Sequence, residues 1–186
     1  AGDQANNISI SGDGSVIAIG ANLNDGNGID SGHVRVFKNI NSTWTQIGSD
    51  IEGEAAGDKS GSSVSLSSDG SVIAIGAGSN DGNGIDSGHV RVFKNINNTW
   101  TQIGSDIYGE AAGDKSGCCG NLKLSDDGST LAIGAPGNDG NGIASGHVRV
   151  FKNINNTWTQ VGSDIDGETA GDQANNISIS GDGSVI

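Results

Sequence analysis

Three copies of an acidic, glycine-rich loop carry the side chains best suited to hold a cation. The copies run over 25–30, 81–86 and 139–144, and Asp or Asn alternates in them with glycine. Oxygen ligands at such spacing are what a hard cation such as Ca²⁺ prefers. The candidate calcium ligands are Asp25, Asn27, Asp30, Asp81, Asn83, Asp86, Asp139 and Asn141. Ala144 replaces the last aspartate of the third copy. Asp-Gly and Asn-Gly pairs also form tight turns without an ion, so both interpretations stay open.

A second recurring pattern is the acceptor sequence for N-glycosylation. Three copies precede a tryptophan at the same predicted turn, and the other two belong to a duplicated segment. The candidate acceptors are Asn41, Asn97, Asn155, Asn7 and Asn176. A chain rich in Asn, Ser and Thr also yields such triplets by composition alone. Glycan attachment is therefore a hypothesis that requires a secretory route.

The two cysteines, Cys118 and Cys119, are adjacent and are predicted to occupy the first strand of the third repeat. Neighbouring side chains of a strand point to opposite faces. A disulfide between neighbours strains the peptide that joins them, which makes this pairing the less common outcome. The alternatives are cross-links to neighbouring chains or segments, which an extracellular setting permits, and two free, partly buried thiols.

The residues most often used in catalysis are copied with the repeat. A histidine starts the same predicted strand three times, two residues before an arginine, in the pairs His33 and Arg35, His89 and Arg91, and His147 and Arg149. Because a catalytic site is normally unique, we expect these pairs to balance nearby acids. Trp44, Trp100 and Trp158 are expected to pack between repeats rather than to stack on sugars. With no nucleophile motif, phosphate loop or zinc spacing in the sequence, we expect no enzymatic activity.

These recurrences reflect repetition of the whole sequence. Residues 24–38 recur at 80–94 and, with Ala144 substituted, at 138–152, with spacings of 56 and 58 residues. Periods of this length are typical of stacked supersecondary units. The predicted units are 1–55, 56–111 and 112–169, followed by 170–186, which is identical to 1–17 and starts the next unit. We interpret the chain as part of a longer array, with a circularly permuted arrangement as the alternative.

Each unit is predicted to contain four short strands, which alternate apolar and polar residues or are continuously apolar. In the second unit they are 64–67, 72–77, 89–93 and 100–103. Asp69-Gly70 predicts a hairpin turn between the first two. Four antiparallel strands per unit are typical of a propeller blade. The sequence therefore predicts an all-β fold of β-propeller blades, each a four-stranded antiparallel sheet, with three repeats and a partial fourth.

Residues 63–70, 74–77 and 87–93 resemble the FG-GAP repeat of integrin-alpha-type β-propellers. Residues 134–136 match the Gly-Ala-Pro element in full, whereas the Phe-Gly element is replaced, as by Ser60-Gly61. The resemblance implies an extracellular or cell-surface location, a role in adhesion, ligand binding or surface architecture, and bound calcium. The family's calcium loop joins the first two strands of a blade, where this chain has only residues 68–71. The calcium hypothesis therefore rests on the longer loop after the second strand.

Composition excludes two classes of partner. Asp and Glu total 22 against 9 Lys and Arg, a formal charge of −13, which would repel the phosphates of nucleic acids. No run approaches the roughly 18 apolar residues of a membrane span, so we expect no membrane insertion.

The number of units bears on assembly and function. Propellers close with about four to eight blades, so three units need others, from copies of this chain or from further repeats of a longer one. Near-identical units favour regular self-assembly. We predict a non-enzymatic structural component of a secreted filament, appendage or surface coat. The alternative is an adhesive or lectin-like propeller that binds glycans or surface proteins through its loops.

Overall fold

The computed structural model describes residues 4–174 and 176–186, and their regular structure is all β. The first repeat contains β1 (Asn7–Ile10), β2 (Val16–Ala21), β3 (His33–Ile40), β4 (Thr43–Gln46) and β5 (Ile51–Glu52). The second contains β6 (Ser60–Leu66), β7 (Val72–Ala77), β8 (His89–Ile96), β9 (Thr99–Gln102) and β10 (Ile107–Tyr108). The third contains β11 (Leu122–Leu124), β12 (Thr130–Ala135), β13 (His147–Ile154), β14 (Thr157–Gln160) and β15 (Ile165–Asp166). Within the described ranges there is no helix that could cross a membrane.

The strands of each repeat form one antiparallel sheet, which we call blade 1, blade 2 and blade 3. In blade 1 the order is β1-β2-β3-β4, and β5 pairs with β3 beyond the end of β4. The outer strand is thus made of two pieces, interrupted where Gly48 turns the chain with a φ of +73°. The predicted all-β fold of four-stranded antiparallel sheets is confirmed, and the division of the fourth strand is a feature that alternation did not indicate.

Two-residue turns of repeated geometry join the third strand to the fourth. In blade 1 Asn41 and Ser42 have φ values of +51° and +65°, and Asn97 and Asn98 repeat these values in blade 2. Positive φ at both central residues is the requirement of a type I′ hairpin, and asparagine tolerates it better than most residues. The asparagine-rich sequence therefore sets the register of this hairpin in every blade.

The blades pack face to face through two apolar cores. The first lies between blades 1 and 2, where Val34 and Val36 meet Ile73 and Ile75. The second lies between blades 2 and 3, where Val90 and Val92 belong to one cluster with Leu131 and Ile133. Since period-two alternation gives a strand two faces, the central blade buries both of them, one in each core.

The start of the third blade differs from the prediction. Its first strand is confined to Leu122–Leu124, so Cys118 and Cys119 do not lie in a strand and do not point to its opposite faces. They belong to a preceding turn, in which Cys119 has a φ of +62°, and their sulfurs are joined in a disulfide. This segment is two residues longer than its equivalent in blade 2, and the turn accommodates the extra length.

Residues 176–186 lie against blade 3 and contain no strand. The amide N–H of Asp126 donates to the carbonyl of Gly181 over 2.8 Å, just as that of Ser68 donates to the carbonyl of Asp126. The segment thus starts in the place of a next first strand. A partial fourth blade is not confirmed, because these residues carry none of the sheet predicted for it.

Candidate functional site

The predicted calcium loops connect the second and third strands of each blade, and their side chains hold the loop together. Oδ1 of Asp25 accepts from the N–H of Asp30, and Oδ1 of Asp81 accepts from that of Asp86, over 3.0 and 2.8 Å. Asp139 makes the same bond to the N–H of Ala144 over 2.7 Å. The bond uses the backbone of the final residue, so the turn forms whether or not that residue is acidic. Calcium binding here stays a prediction.

The loop asparagines tie each loop to the segment that leads into the next repeat. Nδ2 of Asn27 donates to the carbonyls of Gly53 and Glu54 over 2.8 and 3.0 Å. Asn83 repeats both bonds one blade later, and Asn141 donates to Gly167. These bonds fix the backbone at Glu54 and Glu110, and thereby the direction in which each glutamate leaves its own blade.

That glutamate reaches a histidine and an arginine of the following blade. Oε2 of Glu54 lies 3.8 Å from Nδ1 of His89, and Oε1 lies 3.6 Å from Nη1 of Arg91. Asp106, which lies between β9 and β10 of blade 2, completes the group, with Oδ2 at 4.0 Å from the same Nδ1. We call this group the 1–2 junction cluster: Glu54, His89, Arg91 and Asp106.

The 2–3 junction cluster repeats the arrangement with Glu110, His147, Arg149 and Asp164. Nδ1 of His147 lies 3.9 Å from Oε2 of Glu110 and 3.8 Å from Oδ2 of Asp164. Nη1 of Arg149 lies 3.5 Å from Oε1 of Glu110. The acids predicted to balance these histidines and arginines are therefore present, and one of each set comes from the preceding blade.

Burial determines the protonation of the 1–2 junction cluster. Desolvation, together with the adjacent Arg91, lowers the pKa of His89 to about 4, so its imidazole is neutral near pH 7. Burial also raises the pKa of Glu54, and Arg91 opposes that effect. Nη2 of Arg91 donates to the carbonyl of Glu52 over 2.7 Å, which anchors the guanidinium to blade 1.

The tryptophans of blades 2 and 3 also bind the preceding blade. Nε1 of Trp100 donates to the carbonyl of Ile47, and Nε1 of Trp158 to that of Ile103, both over 2.9 Å. The indole of Trp100 lies over Gly48, where an added Cβ would come within 2.6 Å of the ring. Packing between repeats was predicted for these tryptophans, and it is found for both.

In blades 1 and 3 the equivalent groups face solvent. Trp44 is 46% exposed, and Ile8 and Ile10, whose equivalents Val64 and Leu66 are buried, are 63% and 57% exposed. On blade 3 Val161 and Ile165, equivalent to Ile47 and Ile51, are 51% and 52% exposed. We call the Trp44 side of blade 1 the leading face and the Val161 side of blade 3 the trailing face.

The candidate glycosylation sites differ in their surroundings. Asn41, Asn97 and Asn155 are exposed at the hairpin between the third and fourth strands. Nδ2 of Asn7, in contrast, donates to the carbonyl of Ser62 in blade 2 over 2.7 Å, and Asn176 is bound through its backbone to Asn121. A glycan on Asn7 would break an inter-blade bond, so the hairpin asparagines are the better acceptors. Their occupancy stays a prediction.

Sequence reasoning did not single out the acids of the junction clusters. Glu54 and Glu110 start a repeated Glu-Ala-Ala-Gly-Asp-Lys-Ser segment, and Asp106 precedes the short strand β10. The recurrence of this acidic segment beside a recurring histidine was the available signal. The sequence did not indicate that each glutamate contacts the histidine of the next blade.

One family and several solved structures are similar to this chain. Residues 52–93 match the model of the FG-GAP repeat, which confirms the predicted resemblance in that part of the chain. No curated protein sequence matches.

The structural neighbours are β-propeller proteins. A protein from Bacteroides uniformis ATCC 8492, provisionally assigned as a 6-phosphogluconolactonase, has 18% identity and a TM-score of 0.61, over 95% of this chain and 44% of its own. TolB from Acinetobacter baumannii has 16% identity and a TM-score of 0.46, over 86% and 31%. The periplasmic gluconolactonase PpgL from Pseudomonas aeruginosa has 14% and 0.41, over 90% and 58%. The chain spans less than half of the first protein, and this likeness shows the propeller-like fold alone.

Proposed function

We propose that the protein is a non-enzymatic structural component of an extracellular filament, appendage or coat, and that its copies associate head to tail through the leading and trailing faces. The FG-GAP match at 52–93 supports a location outside the cell, because the resembling repeats belong to extracellular proteins. The repetition of one inter-blade junction supports self-assembly, since equivalent surfaces generate equivalent contacts.

The main support for this proposal is a glycine of the trailing face, Gly162, that no indole covers in the described chain. Gly48, Gly104 and Gly162 are equivalent, and the first two are covered by the indoles of Trp100 and Trp158. Among the described residues no atom lies within 4 Å of a Cβ added at Gly162. Trp44 is the one equivalent indole that covers no such glycine within the part of the chain described. Seating Trp44 over Gly162 of a second copy repeats the contact found at both junctions.

The charged groups of the leading and trailing faces are also complementary. Arg35 is exposed, whereas its equivalents Arg91 and Arg149 are buried against a glutamate of the preceding blade. Glu168, the equivalent of Glu54, is exposed near the trailing face. Docking of two copies would place Arg35 beside Glu168 and reproduce the ion pair of the existing junctions. The leading face otherwise exposes an apolar surface of the kind that marks interaction sites.

Residues 176–186 occupy part of the trailing face, and their sequence accommodates the second copy. They are identical to 7–17, the segment that contains β1. An incoming blade 1 can therefore use either segment as its first strand. Exchange of identical elements between copies is a low-cost route to association.

Sedimentation velocity over a range of protein concentrations tests this proposal, with electron microscopy of the associated material. We expect the wild-type chain to associate with rising concentration and Trp44→Ala to remain monomeric. Ile29→Ala is the matched control, because Ile29 is a large exposed apolar side chain in the loop between β2 and β3, outside the strands of blade 1. This variant should associate like the wild type.

Filaments in the micrographs would support the structural role. A wild-type chain that stays monomeric at every concentration, or a Trp44→Ala variant that associates as the wild type does, would contradict the proposal. Discrete rings that bind glycans would support the adhesive alternative instead.

A further inference from the structure

The histidine of the 1–2 junction cluster has a ring nitrogen that its surroundings do not satisfy. His89 is only 1% exposed, and within the described part of the chain its Nδ1 makes no hydrogen bond. The carboxylate oxygens that face it are 3.8 and 4.0 Å away, whereas a hydrogen bond to oxygen would need about 2.7–3.2 Å. A buried nitrogen without a hydrogen bond loses about its full free energy of hydration. The unpaired Nδ1 of His89 therefore requires an explanation.

The three donor atoms surround a common point. Nδ1 of His89, an oxygen of Glu54 and an oxygen of Asp106 all lie within 4.8 Å of one another. Glu110, His147 and Asp164 also lie within 4.8 Å of one another at the 2–3 junction, where the buried ring nitrogen that makes no hydrogen bond among the described residues is Nε2 of His147 rather than Nδ1. A tetrahedral Zn²⁺ holds nitrogen and oxygen ligands at about 2.0–2.2 Å, which separates them by roughly 3.4 Å. The two separations between Nδ1 of His89 and the carboxylate oxygens, 3.8 and 4.0 Å, need to shrink by about half an ångström to close on such an ion.

We propose that each junction cluster binds one divalent transition-metal ion, Zn²⁺ being the type case, through His Nδ1, the glutamate of the preceding blade and the aspartate of the same blade. Imidazole nitrogen with carboxylate oxygen suits zinc and its neighbours in the first transition series, whereas Ca²⁺ takes all-oxygen ligands. The site is therefore distinct in chemistry and in place from the predicted calcium loops.

The carboxylates are oriented toward this point by groups outside it. Nε2 of Gln102 donates to Oδ1 of Asp106 over 2.6 Å, and the Tyr108 hydroxyl donates over 3.0 Å to Oδ2, the oxygen that faces the histidine. Gln160 holds Asp164 in the same way. Arg91 lies against Oε1 of Glu54, which leaves Oε2 toward His89. Such outer partners fix the direction of ligands in metal sites.

Blade 1 carries a related group that lacks the inter-blade ligand. His33, Asp50 and Glu52 also meet within 4.8 Å, but all three belong to one blade. The equivalents of Glu52 are Tyr108 and Asp166, so this arrangement is not repeated. The proposal concerns the two junction clusters, whose ion would join neighbouring blades.

Zinc titration of the metal-free chain tests the proposal, by isothermal calorimetry and by competition with a chromogenic chelator. At a zinc concentration that saturates the wild type, we expect the double variant Glu54→Gln/Glu110→Gln to bind two fewer ions per chain. The affinity at each site should fall by at least about tenfold, because the loss of an outer partner alone costs 10–100-fold. Glu54 is 43% exposed in its side chain, so the substitution should leave the fold intact.

Glu168→Gln provides the matched control at a protein concentration where the chain is monomeric, since Glu168 occupies the equivalent position of blade 3 and, without a docked second copy, faces no histidine of a following blade in the described chain. It should bind as many ions as the wild type. His89→Gln/His147→Gln should reproduce the loss of two ions, with folding checked by circular dichroism. Co²⁺ absorption bands that disappear in both double variants would place nitrogen and glutamate in one coordination sphere.

Wild-type zinc binding in the Glu54→Gln/Glu110→Gln variant would overturn the proposal. An equal loss in Glu168→Gln would overturn it as well, because the ions would then depend on surface acidity rather than on the junctions. So would a folded wild-type chain that binds no zinc at all.

Discussion

Equivalent side chains of the three repeats differ in their contacts, because they have different neighbouring blades. Trp44, Trp100 and Trp158 occupy the same position of the repeat. Two of them donate to a carbonyl of the preceding blade, whereas Trp44 is 46% exposed. The residue type is constant, so the neighbouring blade determines how much each indole contributes to stability.

Replacing Trp100 by phenylalanine should therefore cost more than replacing Trp44. Trp100→Phe removes the N–H that binds Ile47 and leaves a partly buried carbonyl unpaired, which costs about 1 kcal/mol. Trp44→Phe should change the free energy of unfolding by no more than a few tenths of a kcal/mol, as is usual for an exposed position. Urea unfolding followed by circular dichroism, at a concentration where the chain is monomeric, measures both. Equal losses in the two variants would show that Trp100 does not depend on blade 1.

The turn between the first two strands of blade 3 predicts a loss of stability in acid. The Ser125 hydroxyl and the Ser129 N–H donate to Oδ1 of Asp127 over 2.7 and 2.9 Å, and these bonds hold the pKa of Asp127 below its usual 3.8. The unfolded chain takes up this proton first as the pH falls. The stabilisation is therefore complete above about pH 4 and is lost as the pH falls through the lowered pKa.

Asp127→Asn should flatten this dependence, since the amide does not titrate. Thermal melts of wild type and variant between about pH 5 and pH 2 measure it, in the range where the carboxyl of the unfolded chain titrates. The melting temperatures should differ most at the upper end and converge toward the lower end. A constant difference across the range would contradict the assigned role of Asp127.

At the scale of the element, the hairpins and strands of a blade were largely predictable. A continuous apolar run predicted the second strand of blade 2 with the bounds that the structure shows, Val72–Ala77, and Asp69-Gly70 predicted the preceding turn. The break between β9 and β10 was not predictable, because Ile103 and Ile107 are both apolar and the interruption reflects packing on the next blade. The displaced strand at Cys118 follows from two additional residues, whose accommodation depends on the surrounding blades.

Glycines in the second strands allow neighbouring blades to approach closely. An added Cβ at Gly76 would collide with the carbonyl oxygen of Gly117, whereas at Gly134 it would come within 2.9 Å of the Cβ of Asn121 and 3.0 Å of the terminal Cδ1 of Ile177. Backbone cannot move aside as a side chain can. The same glycine of the repeat therefore tolerates substitution differently in blades 2 and 3.

Gly76→Ala should lower the free energy of unfolding by about 1–3 kcal/mol, the usual cost of overpacking. Gly134→Ala, with the same chemical change in the same kind of strand, should cost clearly less. Chemical denaturation of the two variants beside the wild type measures the difference. A larger loss for Gly134→Ala would contradict the close approach of blades at Gly76.

At the scale of the whole molecule, the contacts at the junctions between blades were not predictable from the sequence. The histidines and arginines were predicted to balance nearby acids, but the partner of His89 is Glu54, 35 positions earlier and in the preceding unit. Such a contact depends on how one sheet stacks on another, which strand periodicity does not report. The sequence repeats did indicate that the contacts at one junction should recur at the next.

The central claim is that the leading and trailing faces are two halves of one more junction. Trp44→Ala removes the indole from the leading face and leaves the trailing face intact. Val161→Asp places a charge at the trailing face, on a side chain that is half exposed, and leaves the leading face intact. Each variant therefore retains one half of the junction.

Mixing these two variants tests the claim most directly, with sedimentation velocity as the readout. Each variant alone should sediment as a monomer, and their equimolar mixture should form a heterodimer that grows no further, because only one pair of intact faces remains. Monomers in the mixture at concentrations where the wild type associates, or assembly of either variant alone, would contradict the head-to-tail junction.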